Sequence, residues 1–207
     1  MSMGPMGNLP EPTENEMSRK TETPTARDRI LETADKLFYR DGVRAVGIDT
    51  IIAQSGVAKT TLYRYFPSKD DLVVAYLEER NRRFWVLFEE AIGQYPNQFK
   101  KQLLVGFEWI DELLAKPDCY GCPFLMITTE FPELEYPGHE VAVAHKRAVL
   151  NRLKALAEKA GASLPEELAA HLLLLLDGAF AERRLFGSSN SGVLVKAVTT
   201  LINSHLT

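Results

Sequence analysis

The chain contains only two cysteines, Cys119 and Cys122, among its 207 residues. Two cysteines so close together cannot provide the network of bridges that stabilises small secreted domains, so we expect a reducing, cytoplasmic setting. Long apolar runs are also lacking: Leu172–Leu176 has five residues, whereas a membrane-spanning helix needs about 20. The sequence therefore predicts a soluble protein that is stabilised by its own hydrophobic core.

The first 24 residues lack the apolar segment of a secretory signal. They are rich in Pro, Glu, Thr and Asn instead, a composition that does not support a packed core. Residues 1–24 are therefore predicted to be a disordered N-terminal extension.

The chain also lacks an overall positive charge, since its formal net charge is −4. The charges are unevenly distributed, however. Residues 19–70 carry ten basic and seven acidic side chains, and the rest of the chain carries 14 basic and 21 acidic ones. A basic head on an acidic body is compatible with a nucleic-acid reader attached to a separate regulatory domain.

Alternating apolar patterns typical of β-strands are scarce, and apolar residues at helical spacing recur along almost the whole chain. Between about residues 25 and 40, Ile30, Leu37 and Phe38 fall on one face of a helix, which Gly42 would end. The same spacing predicts further helices at about 48–54, 59–66, 69–94, 98–115, 124–131, 140–160, 165–186 and 193–205. The sequence therefore predicts an all-α fold of about nine helices.

Three residues predict where particular helices begin or end. Ser68 is a suitable N-cap for the fourth helix, because the acids that follow it favour the positive end of the helix dipole. Gly161 would end the seventh helix, and Pro165 suits the first turn of the eighth.

The segment Ile48–Phe66 has the pattern of two short helices joined by a tight turn at Gly56. In a helix-turn-helix the first helix braces the second, which enters the major groove. The side chains left exposed on the second helix are small polar, basic or aromatic, and such groups reach base edges and phosphates. They are Lys59, Thr60, Thr61, Tyr63 and Arg64. The sequence thus predicts a DNA-binding helix-turn-helix.

The run from Gly56 to Leu72, GVAKTTLYRYFPSKDDL, resembles the signature of the TetR family of transcriptional repressors. The segments Ile30–Gly42 and Ile51–Ser55 resemble that family too, so the likeness covers roughly residues 26–77. It implies three DNA-binding helices within residues 25–70, and a C-terminal ligand-sensing and dimerisation domain over residues 71–207. The linking helix would be the fourth.

The resemblance implies two kinds of DNA contact. The side chains facing the groove would be those of Lys59, Thr60, Thr61 and Arg64. Contacts to the phosphate backbone would come from Thr50, Tyr63, Tyr65 and Lys69. Tyr65 is equally compatible with a place in the core, whereas Phe66 is expected there.

At Gly47 the sequence departs from the family pattern, which usually has Thr or Ser. The side-chain N-cap of the second helix, often also a phosphate contact, is therefore missing. Glycine is a weaker but acceptable cap, so only that contact is lost.

The resemblance also implies a sensor cavity among helices four to eight. The candidates for its lining, each also compatible with plain core packing, are Trp85, Phe88, Phe107, Trp109, Phe124, Met126, Thr128, Phe131, His145, His171, Asp177 and Phe180. A mostly apolar pocket with a few polar groups suits a small hydrophobic effector. In the family, ligand binding moves helix four and shifts the population away from the DNA-competent state. Residues 119–161, with their Glu130-Phe131-Pro132 segment, resemble a subgroup of TetR sensor domains, a similarity that does not identify the effector.

Cys119 and Cys122 form a C-x-x-C motif, which is compatible with a structural role, a thiol sensor or half of a zinc site. No second half of a zinc site is apparent in the sequence. The four histidines, His139, His145, His171 and His205, are not spaced i, i+4 from one another. We therefore predict no metal or cofactor site, and keep a thiol-responsive regulator as the alternative function.

The run Leu172–Leu176 covers every face of the eighth helix, so that helix must bury two sides. A second copy of the chain is the simplest partner, giving a four-helix interface made by the last two helices of each protomer. A two-fold dimer would place its reading helices on a palindromic operator. An all-helical enzyme is less well supported, because no nucleophile, base and orienting residue stand at a recognisable spacing.

Overall fold

The computed structural model describes residues 24–187 and 192–206. Within these ranges the chain forms nine helices and no strand, which confirms the predicted all-α fold. The helices are α1 (Ala26–Asp41), α2 (Ile48–Ser55), α3 (Lys59–Tyr65), α4 (Lys69–Gly93), α5 (Phe99–Ala115), α6 (Pro123–Glu130), α7 (Pro137–Ala160), α8 (Pro165–Phe186) and α9 (Val193–His205). Apart from Pro24, the extension predicted at 1–24 lies outside the described residues.

The predicted helix ends follow from local sequence chemistry in most cases. Ser68 caps α4: its hydroxyl accepts from the backbone N–H of Asp71, and the Asp71 carboxylate accepts from the backbone N–H of Ser68. Helix α8 begins at Pro165, and Gly161 ends α7 in the left-handed conformation. The predicted start of α7 at about Glu140 was three residues late, because Pro137 takes the first helical position, where a missing N–H costs nothing.

Helices α1, α2 and α3 pack around one end of a continuous apolar core. Ile30, Ile51 and Leu62 are completely buried in it, and Phe38 is nearly so. Gly56 ends α2 with φ of +64°, a conformation that allows the tight turn into α3. The result is a three-helix head in which α2 holds α3 at a fixed angle.

Helix α4 belongs to both the head and the body. Near its start, Leu72 and Tyr76 are buried against the head, and near its end Phe88 and Ile92 are buried in the body. The helix is also bound to α1, because the Arg80 guanidinium makes a two-pronged ion pair with the buried carboxylate of Asp35. A planar fork of this kind fixes orientation as well as distance.

The body consists of α5 to α9 around the larger part of the same apolar core. Helices α7 and α8 pack closely along their lengths, and α9 packs against α5 and α8. Leu156, Leu168, Leu172 and Val198 are fully or almost fully buried between them. None of the helices in the described ranges is both long enough and apolar enough to cross a membrane.

A polar group lies inside the aromatic part of this body. The Asn81 side-chain oxygen accepts from Trp85 Nε1 at 3.0 Å and lies 2.8 Å from His145 Nδ1. Since an indole N–H can only donate, this oxygen must face both rings, and Nδ1 of His145 therefore carries a proton. Burial, together with the nearby charge of Lys146, lowers the pKa of His145 to about 3. The Phe124 ring stacks on the imidazole, with centroids 3.7 Å apart.

We expect His145 to make the folding stability depend on pH. Its folded-state pKa of about 3 lies below the ordinary value of 6.5, so between these values the unfolded chain binds more protons than the folded one. Its contribution is fully present above pH 6.5 and falls by up to about 1.4 kcal/mol per pH unit as the pH drops towards 3. Urea unfolding of the wild type and of His145→Gln between pH 7.5 and 4 will measure this difference.

The matched control for this experiment is His139→Gln, which changes a histidine nearby on the same helix. The control variant should follow the wild-type curve in its pH dependence, whereas His145→Gln should give a flatter one. Equal loss of stability by the wild type and His145→Gln on acidification would contradict the role given to His145.

Candidate nucleic-acid interface and effector region

The outer face of α3 is polar, basic and exposed. Leu62 is buried and anchors the helix to the head, so the opposite face points away from the protein. That face carries Lys59, Thr60, Tyr63 and Arg64, all exposed, with Thr61 half-buried beside them. Such a surface presents donors, acceptors and positive charge together, as contact with base edges and phosphates requires.

The two aromatic residues at the end of α3 have different environments. Phe66 is 3% exposed and belongs to the core, as predicted. Tyr65 is 39% exposed, and the Arg64 guanidinium lies 5.2 Å from the centre of its ring. Tyr65 is therefore accessible to a ligand at the edge of the same face.

Helix α2 adds an acid and a hydroxyl beside this face. The Lys59 ammonium lies 3.2 Å from the Asp49 carboxylate, and both side chains are largely exposed. An exposed pair of this kind is weak and easily exchanged for another anion. Thr50 is also exposed, and Gly47 caps α2 without a side-chain hydrogen bond, as its identity predicted.

Lys69 lies at the first position of α4 but its ammonium group points back into the protein. It donates to the Val43 carbonyl at 2.7 Å. Burial lowers the pKa of Lys69, and the negative charges of Glu130 and Asp70 oppose that effect. A phosphate contact by Lys69 would therefore compete with a hydrogen bond that holds the turn between α1 and α2.

The carboxylate of Glu130, the last residue of α6, binds this same turn. It accepts from the backbone N–H of Val43 at 3.2 Å and from that of Arg44 at 2.7 Å. Arg44 Nε in turn donates to the Glu130 carbonyl at 2.6 Å. Gly42 makes this approach possible, because a Cβ there would lie 3.0 Å from the carboxylate and its φ is +89°.

The segment that leads into α6 is bound to the head as well. The Tyr39 hydroxyl of α1 donates to the Gly121 carbonyl at 2.8 Å and accepts from the backbone N–H of Tyr120 at 3.1 Å. Arg80 stacks over the Tyr39 ring, with its guanidinium 3.9 Å from the ring centre. Helix α6 is thus bound to the head just before its start and at its end.

Half of the predicted sensor residues form one aromatic cluster. They are Trp85, Phe88, Phe107, Trp109, Phe124 and His145, joined by ring contacts and by a shared cavity wall. The cavity beside Trp85, Phe88 and Phe107 has about 10 Å³ of free space. That is near the lower limit for one water molecule, so the cluster is closed in this conformation.

A larger cleft of about 570 Å³ opens between α6 and the last turns of α8. Its lining is mostly apolar, with the charged groups of Glu130 and Arg184 at the wall, and it includes two predicted sensor residues, Met126 and Phe180. Thr128 lines a smaller neighbouring cavity of about 220 Å³, of which Phe124 also forms part.

The remaining sensor candidates lie apart from these cavities. Phe131 stacks on Tyr136 beneath the guanidinium of Arg44. Asp177 forms an ion pair with Lys146, and His171 lies at the other end of α8, next to His205. The predicted residues therefore do not form a single pocket.

Both cysteines are buried and reduced. Cys119 Sγ lies 3.8 Å from the Tyr39 hydroxyl. Burial raises the pKa of the Cys122 thiol, which lowers the thiolate fraction and hence its reactivity. These environments are those of structural cysteines more than of reactive ones.

Glu130, which joins α6 to the turn after α1, was not predicted from the sequence as a functional residue. It lies in the Glu130-Phe131-Pro132 segment, whose helix-ending proline was visible in the sequence. Its partners are 86 and 87 positions away, however, and no local pattern encodes a contact of that range.

A face of α8 and α9 carries large apolar side chains in contact with solvent. Leu174, Leu185 and Phe186 of α8 are 70%, 75% and 68% exposed, and Val193 of α9 is 54% exposed. Leu172 and Leu176 point inward and are buried. Helix α8 is therefore apolar on two sides, as predicted, and only one of them is covered within the protomer.

Comparison with known proteins supports the interpretation of the N-terminal head as a helix-turn-helix domain. A family model described as "Bacterial regulatory proteins, tetR family" matches residues 30–76. An uncharacterised HTH-type transcriptional regulator of Mycobacterium tuberculosis is 39% identical over 66 residues, which is 32% of this chain and 32% of that protein. The chain thus matches about a third of the length of that relative.

Two solved structures match nearly the whole chain. A TetR-family transcriptional regulator of Streptomyces coelicolor, SCO4454, is 32% identical, with a TM-score of 0.79 over 87% of this chain and 94% of that one. A putative TetR-type transcriptional regulator of Streptomyces avermitilis is also 32% identical, with a TM-score of 0.77 over 87% and 98%. With this identity over almost the full length of both structures, and with the helix-turn-helix and helical body described above, the chain belongs to the TetR family of transcriptional regulators.

Proposed function

We propose that the protein is a homodimeric, sequence-specific DNA-binding repressor, which a small and mostly apolar effector releases from a palindromic operator. The observation that carries this proposal is the outer face of α3, where Lys59, Thr60, Tyr63 and Arg64 are all exposed to solvent. The role is that of a cytoplasmic regulator and not of an enzyme.

In this proposal α3 is the reading helix. Thr60, Thr61 and Arg64 contact base edges, and Arg64 is suited to a guanine because its fork matches two acceptors. Lys59, Tyr63 and Tyr65 bind phosphates at the sides of the groove, and Thr50 does so from α2. Phosphate contacts position the head and base contacts select the sequence.

The exposed apolar face of α8 and α9 supports the homodimer. Side chains such as Leu174 and Val193 would remain in water in a monomer, and their burial against a second copy is favourable. A two-fold interface matches this face with itself. It also gives the two reading helices the fixed separation that a palindrome requires.

The cleft between α6 and α8 is the proposed effector site. Its volume of about 570 Å³ falls in the range of small-molecule pockets, and its mostly apolar lining suits a hydrophobic ligand. The aromatic cluster, by contrast, would have to open before it could admit one.

The position of this cleft supports a route from effector to operator. Met126 and Glu130 of α6 line it, and both ends of α6 are bound to the head through Tyr39 and through the turn at Val43. An effector that shifts α6 therefore changes the orientation of the head. The ligand favours the shifted state and the operator favours the unshifted one, which is a coupling between two sites.

The reading role of α3 is tested by Lys59→Ala. If Lys59 binds a phosphate, the variant should bind all duplexes more weakly, and the slope of log affinity against log salt should become shallower by about 1. The operator is first obtained by selection from random duplexes, and affinities are then measured by fluorescence anisotropy over a range of salt concentrations.

Lys100→Ala, which removes an exposed lysine from α5, is the matched control. It should keep the wild-type affinity and salt slope. If Lys59→Ala behaves like this control, the proposed contact is wrong, and failure to select any duplex would refute DNA reading itself.

The dimer is tested by Leu174→Glu. A charge at the centre of the apolar face should give a monomer in sedimentation experiments, because burying an unpaired carboxylate is unfavourable, and operator binding should weaken with it. Leu134→Glu is the control, since Leu134 is 69% exposed and Leu174 is 70% exposed. A dimeric Leu174→Glu protein with normal operator affinity would contradict this interface.

The coupling is tested by Glu130→Gln. The amide retains one acceptor and presents a donor where the carboxylate accepted two backbone N–H groups, so the turn at Val43 loosens. Operator affinity should fall by roughly 5- to 150-fold, the usual range of allosteric coupling, while circular dichroism shows an unchanged helix content. Glu133→Gln, an exposed change just beyond α6, should have no effect, and equal affinities for the two variants would exclude Glu130 from the coupling.

A further inference from the structure

Three metal-binding side chains converge where the end of α9 meets the start of α8. They are Glu167 and His171, one helical turn apart on α8, and His205, the last residue of α9. One potential ligand atom from each can be chosen so that all three lie within 4.8 Å of one another. The two imidazole rings approach edge to face, with centroids 6.4 Å apart.

The backbone holds this arrangement in place. The N–H of Ser163, just before α8, donates to the His205 carbonyl at 3.2 Å, which fixes the end of α9 against the start of α8. The neighbouring carboxylate of Glu166 is directed to another side, where it pairs with Lys154 at 2.7 Å. Glu167 is therefore the acid of this turn that is left facing the histidines.

The three side chains have no competing partners among the residues that the structure describes. No side-chain hydrogen bond or ion pair engages Glu167, His171 or His205 in those ranges. The imidazole nitrogens and the carboxylate oxygen lie close together but form no hydrogen bonds with one another. They are therefore available to bind a further group.

The geometry points to a site for a divalent transition-metal ion of the zinc type, formed by Glu167, His171 and His205. Two imidazoles and a carboxylate are ligands that Zn²⁺ prefers, with bonds of about 2.0–2.2 Å and a fourth position open to water. Ligand atoms around such an ion lie roughly 3.4 Å apart. Glu167 is exposed and His205 partly so, so small side-chain rotations close the remaining gap.

The donor set disfavours Mg²⁺, Ca²⁺ and Cu⁺. Mg²⁺ and Ca²⁺ prefer oxygen ligands throughout, and two of the three donors here are nitrogen. Softer ions such as Cu⁺ select thiolate and thioether ligands, and the cysteines lie elsewhere, before α6. The site is independent of the reading helix and of the proposed effector cleft.

The experiment is a calorimetric titration of zinc chloride into the full-length protein, stripped with a chelator and free of any histidine tag. The wild type should bind one zinc ion per chain. His171→Ala and His205→Ala should each weaken binding by about 100-fold or more, because even residues outside a ligand set change metal affinity by roughly 10–100-fold. Glu167→Gln should weaken it less, since the amide oxygen remains a poor ligand.

His139→Ala is the matched control and should bind zinc like the wild type. Circular dichroism of each metal-free variant establishes that it is folded, and operator affinity, measured in parallel, should be unaffected by all of them. Absence of zinc binding by the wild type, or binding as tight as that of the wild type by His171→Ala and His205→Ala, would overturn the proposal. So would a loss of binding in Cys122→Ser, which would place the ion at the cysteines.

Discussion

Two helices hold the head to the body: the long helix α4, and the short helix α6, which is bound to the head at both of its ends. The carboxylate of Glu130 accepts from two consecutive backbone N–H groups of the turn after α1, and Tyr39 binds the segment that precedes α6. Hydrogen bonds to a charged acceptor are stronger than neutral ones. A rigid element fixed at two points transmits both translation and rotation, so α6 links the state of the body to the direction in which α3 points.

The interior of the body favours small rearrangements over large ones. The aromatic cluster has almost no free space, and its polar groups are hydrogen-bonded to one another. The Asn81 side-chain oxygen accepts from both Trp85 and a neutral His145. An incoming ligand would have to break these hydrogen bonds and leave buried donors without acceptors, which is costly. The cleft between α6 and α8 requires no such loss, because its space is already present. The lower free-energy cost of ligand entry, and not only its size, therefore favours the cleft over the aromatic cluster as the proposed effector site.

Much of the fold was predictable because it is encoded locally. Ser68, Gly161 and Pro165 mark helix ends through capping, left-handed backbone and a missing N–H, and Gly56 marks the tight turn between α2 and α3. The start of α7 was predicted late, since the first turn that Pro137 begins has little apolar content. The predicted sensor residues lie in several separate places. The spacing of apolar residues predicts which side chains are buried, but not which of them line a cavity. Glu130 and the pair of His171 and His205 depend on contacts between distant parts of the chain.

The long sequence separation of the contacts made by Glu130 and Tyr39 has a consequence for folding order. The head is built from segments that are neighbours in the chain, and such local structure forms quickly. The hydrogen bonds that orient it join residues 81 to 87 positions apart, so they form only once the body has folded. Folding of the head and its orientation relative to the body are therefore separate steps. A variant can be fully helical and normally stable in its head, and still present the reading helix in a direction that no operator matches.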